Sequence, residues 1–160
     1  MMKVNIIAVG KLKEAYLRDA CAEYTKRLSA YAKVNLIEIS EYRCSDNPSP
    51  AEIATVLEQE GNAIAAKIPK GSYVIPLCIE GKQLSSEEFS EKLQSVALGG
   101  TSELTFIIGG SFGIDEAVKQ LGGLRLSFGK ITLPHQLMRV VLLEQIYRAF
   151  SIANNSKYHK

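Results

Sequence analysis

The stretch 126–150, L-S-F-G-K-I-T-L-P-H-Q-L-M-R-V-V-L-L-E-Q-I-Y-R-A-F, restricts the fold of this chain more than any other. A short apolar run meets Pro134, whose fixed φ and missing N–H suit the first turn of a helix. Beyond it, Leu137, Met138, Val140, Val141, Leu142, Leu143, Ile146, Tyr147 and Phe150 leave no broad polar face. A helix of that kind is buried or forms an interface. With Arg139, Glu144 and Arg148 inside it, it is too short and too interrupted to span a bilayer. At about 100° per residue, Glu144, Gln145 and Arg148 share one strip, and Glu144 and Arg148 have the spacing of a stabilising helical pair. Arg139 falls on the opposite side, among Leu142, Leu143, Ile146 and Phe150. A buried arginine requires a partner, so Arg139 either meets a carboxylate from elsewhere in the chain or faces a cleft that binds an anion.

Upstream, strand-length apolar runs alternate with helical spacing. Residues 4–9 read as a buried strand ended by Gly10. Residues 11–31 follow as a helix whose apolar side carries Tyr16, Leu17, Ala20, Tyr24, Leu28 and Tyr31. A second strand covers 34–39, and the proline-bearing segment 41–50 is a loop. Ser49 caps the next helix, with Pro50 at its first position and Glu52 completing a capping box; it runs to about Lys67. The third strand, 73–79, contains Pro76, which predicts an edge position or a local break in the ladder. Glu80-Gly81-Lys82 reads as a turn, and Ser85-Ser86-Glu87-Glu88 as a second capping box starting a helix to about Leu98. A strand at 104–108, a modest helix at 115–121 and a short strand at 124–128 complete the series. This alternation predicts an α/β fold in one domain over residues 1–160, its sheet mainly parallel with helices on both faces.

Composition narrows the function classes. A net charge of +2 excludes an all-round basic coat, so any RNA or DNA contact is local. Cys21, Cys44 and Cys78 are odd in number and widely spaced without C-x-x-C, which argues against a disulfide framework and against a zinc cluster. No metal site is expected. The start turns polar at Gly10 before a signal peptide could form, and no transmembrane run exists. These features point to a cytoplasmic protein with no membrane partner.

In a parallel sheet, ligands sit at the carboxyl ends of strands near a switch in strand order. Three glycine-bearing or small-residue loops follow strands: 77–82, the I-G-G-S-F-G loop 108–113, and S-F-G-K-I-T-L-P-H at 127–135. Glycines there let backbone groups approach a ligand closely. The G-G-S-F-G spacing is a poor dinucleotide fingerprint, because it is not G-x-G-x-x-G and does not follow the first strand. His135 opens the long helix, either as a capping residue or as an acid–base group at a positively polarised helix end. His159 lies in the terminal Y-H-K, which is either a plain tail or a patch for stacking on a base and neutralising phosphate.

Taken together, A-V-G-K-L-K, E-Y-T-K-R-L, L-C-I-E-G-K, I-G-G-S-F-G, the 126–150 segment and the tail Y-H-K resemble, over essentially the whole chain, the bacterial 23S rRNA (pseudouridine-N3-)-methyltransferase family of the SPOUT superfamily. The family pattern has Arg-Gly where Asn154-Asn155 stands; asparagine tolerates the left-handed backbone that glycine would supply. The resemblance implies an α/β knot fold with a carboxy-terminal trefoil knot, a homodimer, and S-adenosylmethionine held by Leu77, Gly109, Gly110, Phe128, Gly129, Lys130, Ile131, Thr132 and Leu133. It implies 23S rRNA in the assembled ribosome as partner, with no DNA and no metal. The chemistry expected is direct methyl transfer to N3 of a pseudouridine. His135 or His159 would assist removal of the N3 proton, and Arg139 would steady charge on the uracil carbonyls. Arg148, Tyr158, His159 and Lys160 would contact RNA. The rival readings are a Rossmann-like nucleotide binder using the G-G-S-F-G loop, a non-enzymatic ribosome-binding dimer, and the same fold acting on another RNA.

Overall fold

The computed structural model describes residues 1–159; Lys160, expected to touch RNA, lies outside them. The strands are β1 (Met2–Val9), β2 (Ala32–Ile39), β3 (Tyr73–Gln83), β4 (Glu103–Ile108) and β5 (Leu126–Ser127); the helices are α1 (Ala15–Leu28), α2 (Pro50–Lys67), α3 (Ser86–Leu98), α4 (Glu116–Lys119) and α5 (His135–Ala153). All strand pairs are parallel, in the order β2-β1-β4-β3-β5. The expected α/β architecture with a parallel sheet is therefore the observed one.

Alternation along the two central strands builds two cores. Val4, Ile6 and Ala8 of β1, with Leu104, Phe106 and Ile108 of β4, face α1, α3 and α5. Ile7, Val9 and Ile107 face the opposite way, toward Ile64 of α2 and Val118 of α4. Both faces of these strands are covered, which is why their sequences read as nearly continuous apolar runs. Buried Asn5 is satisfied across the sheet: its amide donates to Glu103 Oε1 at 2.9 Å and its Oδ1 accepts from Asn35 at 3.0 Å.

Helix boundaries follow local chemistry. At α2 the full capping box forms: Ser49 Oγ accepts from the Glu52 N–H, and the Glu52 carboxylate accepts from the Ser49 N–H. Ser49→Ala should cost about 1 kcal/mol, read as a lower urea midpoint with an unchanged slope. At α3 only half of the expected box is present: Ser85 Oγ accepts from the Glu88 N–H at 3.0 Å, without the reciprocal bond. Tyr16, expected on the apolar side of α1, stands 70% exposed. Tyr31 lies beyond the end of α1 and stacks instead on Phe150, centroids 6.2 Å apart. Pro134 is the residue before α5 rather than inside it.

The main departure is in β3, where Glu80-Gly81-Lys82 is strand and not turn. Tyr73 to Pro76 pair with β4; from Leu77 onward the partner is β5, with an irregularity between Leu77 and Lys82. The proline is thus the point where the strand exchanges neighbours, a local break in the ladder. Gly81 is needed because a Cβ there would stand 2.8 Å from the Arg125 carbonyl, whose oxygen accepts the Lys82 N–H at 2.8 Å. Beyond β3 the chain leaves for α3 on one face, and beyond β4 for α4 on the other. A crevice at the carboxyl ends of these two strands follows from that divergence.

Candidate active site

The crevice is a cavity of about 430 Å³. The three loops singled out in the sequence meet there. Leu77 to Glu80 come from β3, residues 108–114 from the glycine loop after β4, and Leu126, Phe128, Gly129, Ile131, Thr132, Leu133, His135 and Met138 from the segment leading into α5. Of the nine residues expected to hold a cofactor, Leu77, Gly109, Gly110, Phe128, Gly129, Ile131, Thr132 and Leu133 line it. Lys130 does not; it is exposed outside the lining.

The glycine loop is shaped by close approach. A Cβ on Gly109 would lie on the Gly113 carbonyl, 2.5 Å from its carbon, and 2.8 Å from Ile114 Cγ1. The Gly113 N–H closes the turn on the Gly110 carbonyl at 3.1 Å. Beneath Gly110 lies Glu60 of α2, 4% exposed, whose carboxylate accepts the Tyr42 N–H at 3.0 Å. A Cβ on Gly110 would come within 3.3 Å of it. Burial pushes the Glu60 carboxyl above the usual glutamate range. Sequence reading missed Glu60, since a glutamate within a helix ordinarily faces water.

Among the described residues two charged side chains line the cavity, Glu80 and Lys119, and they pair with each other. The Lys119 ammonium holds the Glu80 carboxyl below its usual range. Burial, and then the Glu80 charge, push the Cys78 thiol up, so this lining cysteine is no ready nucleophile. His135 stands at the start of α5 with its ring against Gly10; a Cβ on Gly10 would lie 3.5 Å from Nε2.

The other expected catalytic residues are elsewhere. Arg139 is 2% exposed, donates to Glu38 Oε2 at 2.8 Å and to the Gly10 carbonyl at 3.2 Å, and does not line the cavity. Of the two alternatives open from sequence, the structure selects the carboxylate partner. The role expected for Arg139 on the substrate finds no support in this placement: two of its donors serve the scaffold, its buried Nε has no partner among the described residues, and the side chain lies off the cavity. Glu38 responds, its carboxyl held low by the guanidinium.

His159 is also distant from His135 in its contacts. The chain reverses after α5 through Asn155, at φ +54 the left-handed residue that the family's glycine would supply. The tail then packs back on α5. Tyr158 meets Tyr147 edge-on with centroids 4.7 Å apart, and its hydroxyl donates to Glu144 Oε1 at 3.2 Å. Burial, then a hydrogen bond with Tyr24, push the Tyr158 phenol up to about 12. Arg148 donates to Glu144 at 3.0 Å, lies 4.9 Å over the Tyr158 ring, and sits 3.0 Å from His159 Nδ1. His159 Nε2 is 2.7 Å from Glu87 Oε1. A guanidinium only donates, so Nδ1 accepts and Nε2 carries the proton toward Glu87.

A parallel α/β sheet with a crevice at its strand ends is the arrangement in which open α/β proteins hold their ligands. Comparison with known proteins makes the class specific. The family model described as "Predicted SPOUT methyltransferase" matches residues 2–159. Relatives named ribosomal RNA large subunit methyltransferase H are similar end to end. One from Leuconostoc mesenteroides is 54% identical over 99% of this chain and 100% of its own length. One from Streptococcus suis is 50% identical over the same shares. The chain belongs to the SPOUT methyltransferase family. Among the described residues, no helix is long and apolar enough to cross a membrane.

Proposed function

We propose that this chain is an S-adenosylmethionine-dependent enzyme that methylates N3 of a pseudouridine in 23S rRNA of the assembled ribosome, acting in the cytoplasm as a homodimeric, single-domain α/β knot. The observation that carries the reading is the convergence of residues 77–80, 108–114 and 126–135 on one cavity, in a methyltransferase family chain. The names of the full-length relatives support an rRNA substrate.

The cavity suits the cofactor on its own chemistry. Leu77, Ile108, Leu126 and Met138 offer apolar walls to an adenine, and the glycine loops offer backbone groups to its polar edge. Glu80 and Lys119, of opposite charge, match a zwitterionic amino-acid end. When bound, S-adenosylmethionine supplies a methyl carbon activated by a sulfonium. The chain's own tasks are alignment and proton removal. In this reading His135, the histidine on the cavity, takes the N3 proton, whereas Arg139 fixes the Gly10 turn against which His135 rests. Arg148 of α5, with Tyr158 and His159 of the tail, forms the RNA-facing surface. Leu137, 39% exposed, and the scarcity of polar side chains along α5 suit contact between this helix and a second copy.

The test is transfer of labelled methyl from S-adenosylmethionine to ribosomes that carry or lack the pseudouridine. Label in the pseudouridine-bearing particles alone is expected. Equal label in both would move the target, and none in either would sink the proposal.

A further inference from the structure

A second cavity, about 400 Å³, adjoins the first, and Leu126 and Phe128 line both. Among the described residues its lining includes Gln83, Ser86, Phe89, Val141 and Gln145, and no charged side chain. We propose that this second cavity receives the target base turned out of its RNA strand, and that Gln145 reads the N–H by which a C-glycosidic uracil differs from uridine. The proposal rests on the methyltransferase reading above.

Three observations support it. The first is adjacency: methyl transfer needs the attacking nitrogen aligned within contact of the methyl group, and the shared Leu126–Phe128 partition sets the two cavities side by side. The second is chemistry. A uracil is neutral, planar and amide-like, and a flipped base is read by hydrogen bonds and aromatic contact in a snug pocket. Neutral amides and hydroxyls beside Phe89 and Phe128 meet that need, whereas the first cavity holds an ion pair. The third is the state of Gln145. Ser86 Oγ donates to its Oε1 at 2.8 Å, and its Nε2 donates to Glu144 Oε2 at 2.8 Å. These bonds fix the amide plane and leave one N–H and one lone pair unspent.

In a C-glycosidic uracil, N1–H and the C2 carbonyl are adjacent. One remaining donor and one remaining acceptor can meet that edge and leave N3 open to attack. Uridine has its sugar on N1 and cannot offer the donor. The tail flanks the same place: Glu87 and Glu144, which hold His159 and Tyr158, are the chain neighbours of Ser86 and Gln145. Arg148 and the tail therefore stand beside the base cavity, where the RNA backbone would pass.

The experiment compares the parent protein with Gln145→Leu and Val141→Trp, measuring S-adenosylmethionine affinity by calorimetry and kcat/KM on pseudouridine-bearing ribosomes. Gln145→Leu should retain cofactor affinity and lose about 10- to 100-fold in kcat/KM. Val141→Trp, which fills the cavity, should retain affinity and lose turnover. An unchanged kcat/KM in Gln145→Leu overturns the base cavity while methyl transfer by the parent still stands. A parallel loss of cofactor affinity in Gln145→Leu also overturns it, placing Gln145 in the scaffold. A parent without methyl transfer overturns the underlying reading instead. If Val141→Trp fails to fold, Gln145→Leu decides alone.

Discussion

Gly109→Ala is expected to lower S-adenosylmethionine affinity by at least about 100-fold, roughly 2.7 kcal/mol, and to destabilise the fold by about 1–3 kcal/mol. The added methyl would meet the Gly113 carbonyl and Ile114 Cγ1. A carbonyl cannot rotate aside as a long side chain can. The 110–113 turn must move outward, into the space where the cofactor is proposed to lie. Calorimetric titration with S-adenosylmethionine, alongside urea unfolding, separates the two effects. Gly99→Ala is the control: a Cβ at this helix cap stands 3.4 Å from the Val96 carbonyl, an ordinary contact remote from the cavity, and affinity should not change. Full affinity in Gly109→Ala would remove the glycine loop from the site.

Glu38→Ala should destabilise the protein more than Arg139→Met does, by about 3–5 kcal/mol against a near-neutral change. The asymmetry comes from exposure. The Arg139 side chain is 3% exposed and the Glu38 side chain 41%. Removing Glu38 strands a buried cation that keeps only its Gly10 bond, and its Nε already lacks a partner. Removing Arg139 leaves a carboxylate that water can rehydrate, and methionine refills the volume. The acid limb of stability shows the same pair. The folded carboxyl of Glu38 is depressed, so its contribution is complete above the ordinary glutamate range and is lost as pH falls through the depressed value. Glu38→Ala should flatten that part of the stability–pH curve. Equal costs for the two variants would mean that the guanidinium is not buried as described.

Elements whose signals are local were legible in the sequence. Ser49-Pro50-Ala51-Glu52 specifies a helix start by itself, and the three loops could be named because glycine and strand ends mark them. What escaped depends on partners distant along the chain. Glu38 and Arg139 lie 101 residues apart, so sequence showed only that the arginine needed a partner. Glu80-Gly81-Lys82 has turn composition, yet Arg125 supplies a hydrogen-bonding neighbour and holds it as strand. Lys130 sits within an otherwise lining run, yet it does not join the cavity wall. The tail's placement turned on Asn155, whose backbone was legible, and on Glu87 and Glu144, whose role as its seat was not.

Pro76 parts β3 from β4 inside one continuous sheet, so the crevice has no hinge beneath it. Entry and exit fall to the glycine-bearing segments, whose opening belongs to the nanosecond-to-microsecond regime of loops rather than the slower swing of whole lobes.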